Sequence, residues 1–292
     1  MEQTKKTRVM LVDGMALLFR AYYAEAAVGR VRRTSYGLPT GAVYGFVRYV
    51  WDAIRAFRPT HLVCCWDAGG GTFRSERYPA YKANRSAPPE DLVPQFDLVK
   101  QVTDGLGLRN VEAAGWEADD CIGTLAGRFA EGGADVYVLT GDRDMLQLIA
   151  GGVKVVLMKK GFGNYAVYDE QALLDETGLT PRQIVDLKGL MGDPADHYPG
   201  VRGIGEKTAL RLLLEHGSVE GILEALETLP KGVRAKIEAD VDMLHLSRDL
   251  ARIRTDAPVA CGLAECMLAP DFDRAKQLFQ ELEMNSLLRL IG

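Results

Sequence analysis

The sequence predicts an α/β fold, a doubly wound and mostly parallel sheet, followed by a helical region. Three observations carry this. Short apolar runs rich in β-branched residues alternate with amphipathic stretches through the first half of the chain, the pattern of successive βαβ units. Beyond about Asp169 no strand pattern continues, and helical stretches follow one another. The composition, 47% hydrophobic and 26% charged over 292 residues, is that of an ordinary globular protein able to bury a sizeable core. Two regions are therefore expected, 1–172 and 173–292.

The predicted strands are Arg8–Val12, His61–Trp66, Val136–Thr140 and Val153–Met158, each apolar enough to be buried on both faces. Between them Thr40–Phe57, Glu90–Gly105 and Glu117–Glu131 read as helices. The helical region contains Thr180–Leu190, Glu206–Glu215, Val219–Leu226, Val241–Ala251 and Asp271–Leu282. Thr180-Pro181 is a strong helix start, with Thr as N-cap and Pro in the first position. No apolar run approaches the roughly 18 residues that span a bilayer, and Met1–Arg8 lacks the apolar core of a secretory signal. Five cysteines, with Cys64 and Cys65 adjacent, form no disulfide framework and favour a reducing cytosol.

Net charge is -5, but the charges are not evenly spread. Asp13 ends the first strand, Asp67 the second, and Asp142 and Asp144 follow the third. Ligand sites of open α/β sheets lie outside the carboxyl ends of the strands, so these acids should converge. A single Asp there is commonly just a helix N-cap; acids on three strand ends at once are harder to explain that way. Glu117, Asp119 and Asp120 open a helix, and Asp193 and Asp196 lie three apart in a Gly-Asp-Pro-Ala-Asp turn. So many carboxylates cannot stay ionised together without cations, and an all-oxygen set calls for Mg²⁺ or Mn²⁺ rather than zinc. The four histidines and five cysteines have no ligand spacing. Such a site suits phosphoryl chemistry with a pair of metal ions. No P-loop and no G-x-S-x-G motif is present.

Basic residues cluster in three places. Arg30, Arg32 and Arg33 share a glycine-containing loop. Arg74, Arg77, Lys82 and Arg85 are interleaved with Phe73, Tyr78 and Tyr81 directly after Asp67, a composition that suits phosphates and unpaired bases. In Gly200–Ala209, Gly203 and Gly205 lead into a helix that opens with Lys207 and Thr208, so backbone amides and a lysine can face phosphate.

These motifs resemble the 5′-nuclease (flap endonuclease) superfamily, in particular the 5′→3′ exonuclease domain of bacterial DNA polymerase I and its free-standing relatives. The resemblance rests on Val12-Asp13-Gly14, Cys65-Trp66-Asp67, Tyr81–Arg85, Gly115–Asp120, Thr140–Leu148 and Gly192–Ala209, in the family's order from near residue 8 to about 290. It implies a PIN-like fold with a helix–three-turn–helix element. It further implies hydrolysis of DNA by metal-activated water at 5′ flaps, nicks or RNA-primed ends. Asp13, Asp67, Glu117, Asp119 and Asp120 would hold the first metal region, and Asp142, Asp144, Asp193 and Asp196 would complete a two-ion site. Lys82 and Arg85 would meet the scissile phosphate with Asp67 and Asp142 in the catalytic set. Arg74, Arg77, Tyr81, Gly203, Gly205, Lys207 and Thr208 would contact DNA, with K⁺ at the Gly203–Lys207 hairpin. A free-standing, monomeric enzyme of the bacterial cytoplasm, at the nucleoid, is the corresponding expectation. His197 stands where the family has Asn, and Pro194 lies inside the acidic pair. The alternatives are a PIN-type ribonuclease, which needs no Gly200–Ala209 hairpin, and a silent flap-binding protein, which has no reason to keep so many acids.

Overall fold

The computed structural model describes residues 6–29 and 31–291; Arg30 of the first basic cluster, and residues 1–5 of the polar start, lie outside them. Six strands form one sheet: β1 (Arg8–Asp13), β2 (His61–Cys65), β3 (Arg109–Val111), β4 (Asp135–Thr140), β5 (Val153–Met158) and β6 (Tyr165–Tyr168). Their order is β3-β2-β1-β4-β5-β6. All neighbours are parallel except β5 and β6. The four predicted strands are in place, and β3 and β6 are additions. β3 is three residues long with Arg and Asn in two of them, and β6 closes an antiparallel hairpin on the sheet edge.

Helices cover both faces, so successive residues of β1 enter different cores. Val9 and Leu11 belong to one apolar cluster, Met10 and Val12 to the other, the period of two that a strand imposes. The helices are α1 (Gly14–Ala26), α2 (Gly41–Phe57), α3 (Phe73–Arg77), α4 (Val93–Gly105) and α5 (Ala118–Glu131), then α6 (Glu170–Thr177), α7 (Pro181–Met191), α8 (Glu206–His216), α9 (Val219–Glu224), α10 (Lys231–Ala239), α11 (Val241–Ala251), α12 (Phe272–Glu281) and α13 (Leu288–Ile291). Residues of α1, α2 and α4 pack with Met10 and Val12, and those of α5 with Val9 and Leu11. α7 begins as its sequence requires, with Pro181 in the first turn and a capping box between Thr180 and Gln183. Among the described residues no helix is long and apolar enough to cross a membrane.

The expected junction at 172/173 falls inside α6. The helical region also shares its core with the sheet: Leu212, Ile237 and Leu244 join the cluster of Val9 and α5. The last helices return to the opposite face, where Phe279, Met284 and Leu287 pack with α2 and α4. Complete burial of Phe279 contributes about 2–3 kcal/mol to that attachment.

Between α7 and α8 the chain doubles back on itself. Asp193 and Tyr198 exchange backbone hydrogen bonds, and the Val201 amide donates to the Leu190 carbonyl at 2.9 Å. Gly192 and Gly200 make this possible. Both have positive φ, +72° and +62°, and a Cβ on Gly200 would lie 2.2 Å from the Gly192 nitrogen. Gly200→Ala should therefore cost about 3 kcal/mol from left-handed strain and overpacking. Gly127, inside α5 with open space around it, should behave oppositely, Gly127→Ala gaining about 1 kcal/mol. Urea midpoints of the two variants check both signs, and equal shifts would contradict this account of the turn.

Candidate active site

The ends of β1, β2 and β4 meet the start of α5, and four acids gather there. Asp13, 3% exposed, caps α1 by accepting from the Ala16 amide at 3.0 Å and also accepts from the Thr140 hydroxyl at 2.6 Å. Asp67 accepts from the Ala118 amide at 2.7 Å and so caps α5 from outside. Asp119 is half-buried in the first turn of α5. Asp142 is exposed and accepts from the Asp144 amide at 2.8 Å. Among the described residues, the ion pairs of the region involve the other acids and leave these four without a basic partner. Burial pushes the Asp13 carboxyl up to about 6, and the Asp142 and Asp67 carboxylates add to the shift. Burial, with Asp13 and Asp142, also holds Asp119 well above the usual carboxylate range. Mutually repelling oxygen donors of this kind fit a hard divalent cation. Among the described residues no three such side chains are already closed around one cation position, so ligation would draw them inward.

A second group is neutralised from α7. The Lys188 ammonium bridges Asp144, at 2.7 Å, and Asp193. Burial, followed by the Asp142 charge, lifts Asp144 to about 6 while Lys188 opposes the rise. Asp193 is held below the usual range against its own burial, chiefly by Lys188. Lys188 escaped the sequence reading because a lysine in the last turn of a helix is ordinary; its only signal was its place five residues before Asp193.

The segment Ala80–Arg85 supplies the third group. Lys82 donates to Glu117 at 2.5 Å, Arg85 to Asp196 at 2.7 Å, and the Tyr81 hydroxyl lies 3.0 Å from an oxygen of each acid, with one proton to share between them. The two departures from the family pattern take part: the Pro194 carbonyl accepts from Asn84 at 2.9 Å, and His197 Nδ1 lies 2.9 Å from the Ala80 carbonyl.

Three expectations require correction. Arg74 is 2% exposed, and all its donors are used: by the Leu250 carbonyl at 2.9 Å, Glu117 at 3.1 Å, Asp120 at 2.7 Å twice, and the Arg252 carbonyl at 2.7 Å. It cannot reach DNA. Asp120 is fully buried and also accepts from the Arg254 and Glu117 amides, so its oxygens are committed to structure rather than to a metal. Tyr81 is 7% exposed and stacks on Tyr198, the ring centroids 6.4 Å apart, which leaves no face for a base. Arg77 is exposed and pairs with Asp249 at 2.8 Å.

Away from the acids, Gly203, Gly205 and Lys207 are exposed at the head of α8, and Thr208 is half-exposed. The Gly203 carbonyl accepts from the Lys236 ammonium of α10 at 2.9 Å. The Val201 and Gly205 carbonyls are taken by amides of Ile204 and of Thr208 and Ala209. A potassium ion about 4 Å from that ammonium would be repelled by roughly 4 kcal/mol at an effective dielectric of 20. The residues present do not fit K⁺ there. A cavity of about 800 Å³ between α7, α9 and α11 contains none of the nine predicted acids.

Comparison with known proteins identifies the family. Family models of the 5′-3′ exonuclease match the chain, its N-terminal resolvase-like domain over residues 8–178 and its C-terminal SAM fold over residues 179–274. The chain is 46% identical over 284 residues to the 5′-3′ exonuclease of Bacillus subtilis (strain 168), covering 97% of this chain and 96% of that protein. It is 44% identical to the thermostable DNA polymerase I of Thermus filiformis, covering 98% of this chain and 33% of that protein. Among solved structures, T5 D15 protein co-crystallised with metal ions aligns with a TM-score of 0.66 at 20% identity, over 97% of this chain and 98% of that one. The catalytic core of Rad2 in complex with DNA substrate aligns with a TM-score of 0.59 at 18% identity, over 98% and 92%. With both family models matching in order and a relative of nearly equal length at 46% identity, the chain belongs to the 5′-3′ exonuclease family.

Proposed function

We propose that this 5′-3′ exonuclease family nuclease is a structure-specific enzyme that cleaves DNA at 5′ flaps, nicks or RNA-primed ends with Mg²⁺ or Mn²⁺. The observation that carries the reading is the set Asp13, Asp67, Asp119 and Asp142, gathered at the sheet edge without a basic partner. Asp144 and Asp193, spaced by Lys188, would complete a two-ion site, joined by Glu117 and Asp196 once the Ala80–Arg85 segment, the arch, releases them. Bound divalent cations would supply a lowered water pKa and charge neutralisation at the phosphate. The chain's own part is positional. Lys82 and Arg85 sit on Glu117 and Asp196, the acids that would help hold the metal, and would exchange carboxylate for phosphate oxygens as charge develops. Arg77, exposed and paired with Asp249, would turn to DNA phosphate, and Gly203, Gly205, Lys207 and Thr208 would follow the duplex backbone. The region before α7 would be the catalytic domain and the helices after it the duplex-binding domain. A monomer working at the nucleoid in the bacterial cytoplasm fits these parts.

Three measurements test this. On a 5′-labelled flap, Mg²⁺ should support cutting near the junction and EDTA abolish it. Asp142→Asn should lower the rate at least about a hundredfold while flap affinity changes less than about twofold; retained cutting would remove Asp142 from the metal set. Lys207→Ala should weaken duplex binding and flatten the salt dependence by about one phosphate; an unchanged slope would discard the hairpin. The third concerns pH. Asp13 has a folded-state pKa near 6, above its ordinary value of 3.8, so its ionisation penalises the fold fully above pH 6 and not at all below about 4. In EDTA the stability of Asp13→Asn relative to wild type should therefore improve by about 3 kcal/mol between pH 4 and 7. Urea titrations showing no pH dependence in this difference would mean Asp13 is not under strain.

A further inference from the structure

Helix α10 grips the hairpin that precedes α8 with two residues four apart. Asp240, just past its end, accepts from the Arg202 amide at 2.9 Å and from the Arg202 guanidinium, also at 2.9 Å. Lys236, one turn earlier, donates to the Gly203 carbonyl at 2.9 Å. Gly203 has φ +79°, and a Cβ there would lie 3.1 Å from both Cε and Nζ of Lys236. The glycine thus permits the turn and lets the ammonium close on its carbonyl. Lys236 is otherwise exposed and has no ion-pair partner among the described residues. An ammonium has three donors. One is used on Gly203, and two remain free on an exposed side chain.

We propose that the Lys236 ammonium occupies the cation position of this hairpin, ordering its carbonyl and contacting duplex phosphate, so that this protein grips DNA without a monovalent metal ion. The ammonium and a potassium ion carry the same charge at similar contact distances to oxygen. The ammonium is tethered, so no ion has to be captured when DNA arrives, and the geometry of the turn is present before binding. Of the neighbouring backbone carbonyls, Gly205 accepts from both the Thr208 and Ala209 amides and has no lone pair left, while Val201 accepts from Ile204 and has one. This rests on the duplex-binding reading of the hairpin given above.

The test is fluorescence anisotropy with a labelled 5′-flap duplex in EDTA, in KCl and in NaCl at equal ionic strength, for wild type, Lys236→Met and Lys207→Ala. Lys236→Met keeps an unbranched side chain as far as Cε and removes the ammonium. Wild type should bind equally in the two salts, within about twofold. Lys236→Met should bind about tenfold more weakly in both, with its salt slope reduced by about one phosphate. A purely structural lysine would leave the slope alone, which would overturn the proposal. Wild-type binding about fivefold or more tighter in KCl, or unaltered binding by Lys236→Met while Lys207→Ala weakens, would overturn it and leave the hairpin as the duplex site. Unaltered binding by both variants would overturn the hairpin reading together with this one.

Discussion

Nine acids crowd the carboxyl edge of the sheet and its neighbouring turns, and their mutual repulsion must be balanced for the chain to fold. Two carboxylates about 4 Å apart repel by roughly 4 kcal/mol at an effective dielectric of 20. The structure divides the problem. Asp120 is neutralised permanently by Arg74, whose donors are all engaged in a buried pair; stranding either charge costs about 3–5 kcal/mol. Asp144 and Asp193 share Lys188. Glu117 and Asp196 are balanced by Lys82 and Arg85, which are less buried and so exchangeable. What remains, Asp13, Asp67, Asp119 and Asp142, is left unbalanced by protein. The proposed metal site sits where the protein supplies no counter-charge.

The exchangeable group is held by unusual backbone. Lys82 and His197 both have positive φ, 54° and 60°, without being glycine, a conformation that costs of order 1–2 kcal/mol each. The cost is offset locally. The Lys82 amide donates to the Asp196 carbonyl at 2.9 Å, and Asn84 and His197 add bonds across the same gap. The arch and the acidic turn therefore face each other as a small zipper. Pro194 and His197, the residues that depart from the family's pattern, are two of its teeth, which explains why the Asp193–Asp196 turn accommodates them.

Much of this was legible in the sequence because strand ends obey a simple rule. Parallel strands buried on both faces announce themselves as apolar runs, and their carboxyl ends share one edge, so Asp13, Asp67 and Asp142 could be brought together from spacing alone. The division of the acids was not legible. Whether Arg74 meets DNA or Asp120 depends on Leu250 and Arg252, more than 170 residues away, and a basic, aromatic loop looks the same in either role. Tyr81 was misread for the same reason, its ring covered by Tyr198 from another turn. β3 was missed because three residues with two polar side chains show no period, and Lys188 and Lys236 because helical lysines are unremarkable until their acceptors are known.

The contacts that hid these roles also join the two regions mechanically. α11 presses on α7 so closely that a Cβ on Gly189 would lie 2.8 Å from Arg248 Cβ. α7 carries Lys188 to Asp144 and Asp193, then enters the Gly192–Gly200 turn that leads to the hairpin. From the end of α11 the chain gives two carbonyls to Arg74, then the Arg254 amide to Asp120 and the Ala257 amide to Thr124 of α5. The arch base, the start of α5 and the hairpin are thus fixed to the same pair of helices. Packing density leaves little freedom in that path, so the separation between the hairpin and the unbalanced carboxylates is a property of the fold. On the proposed function, cutting at a set distance from a duplex junction would need such a ruler, and α7 and α11 would provide it.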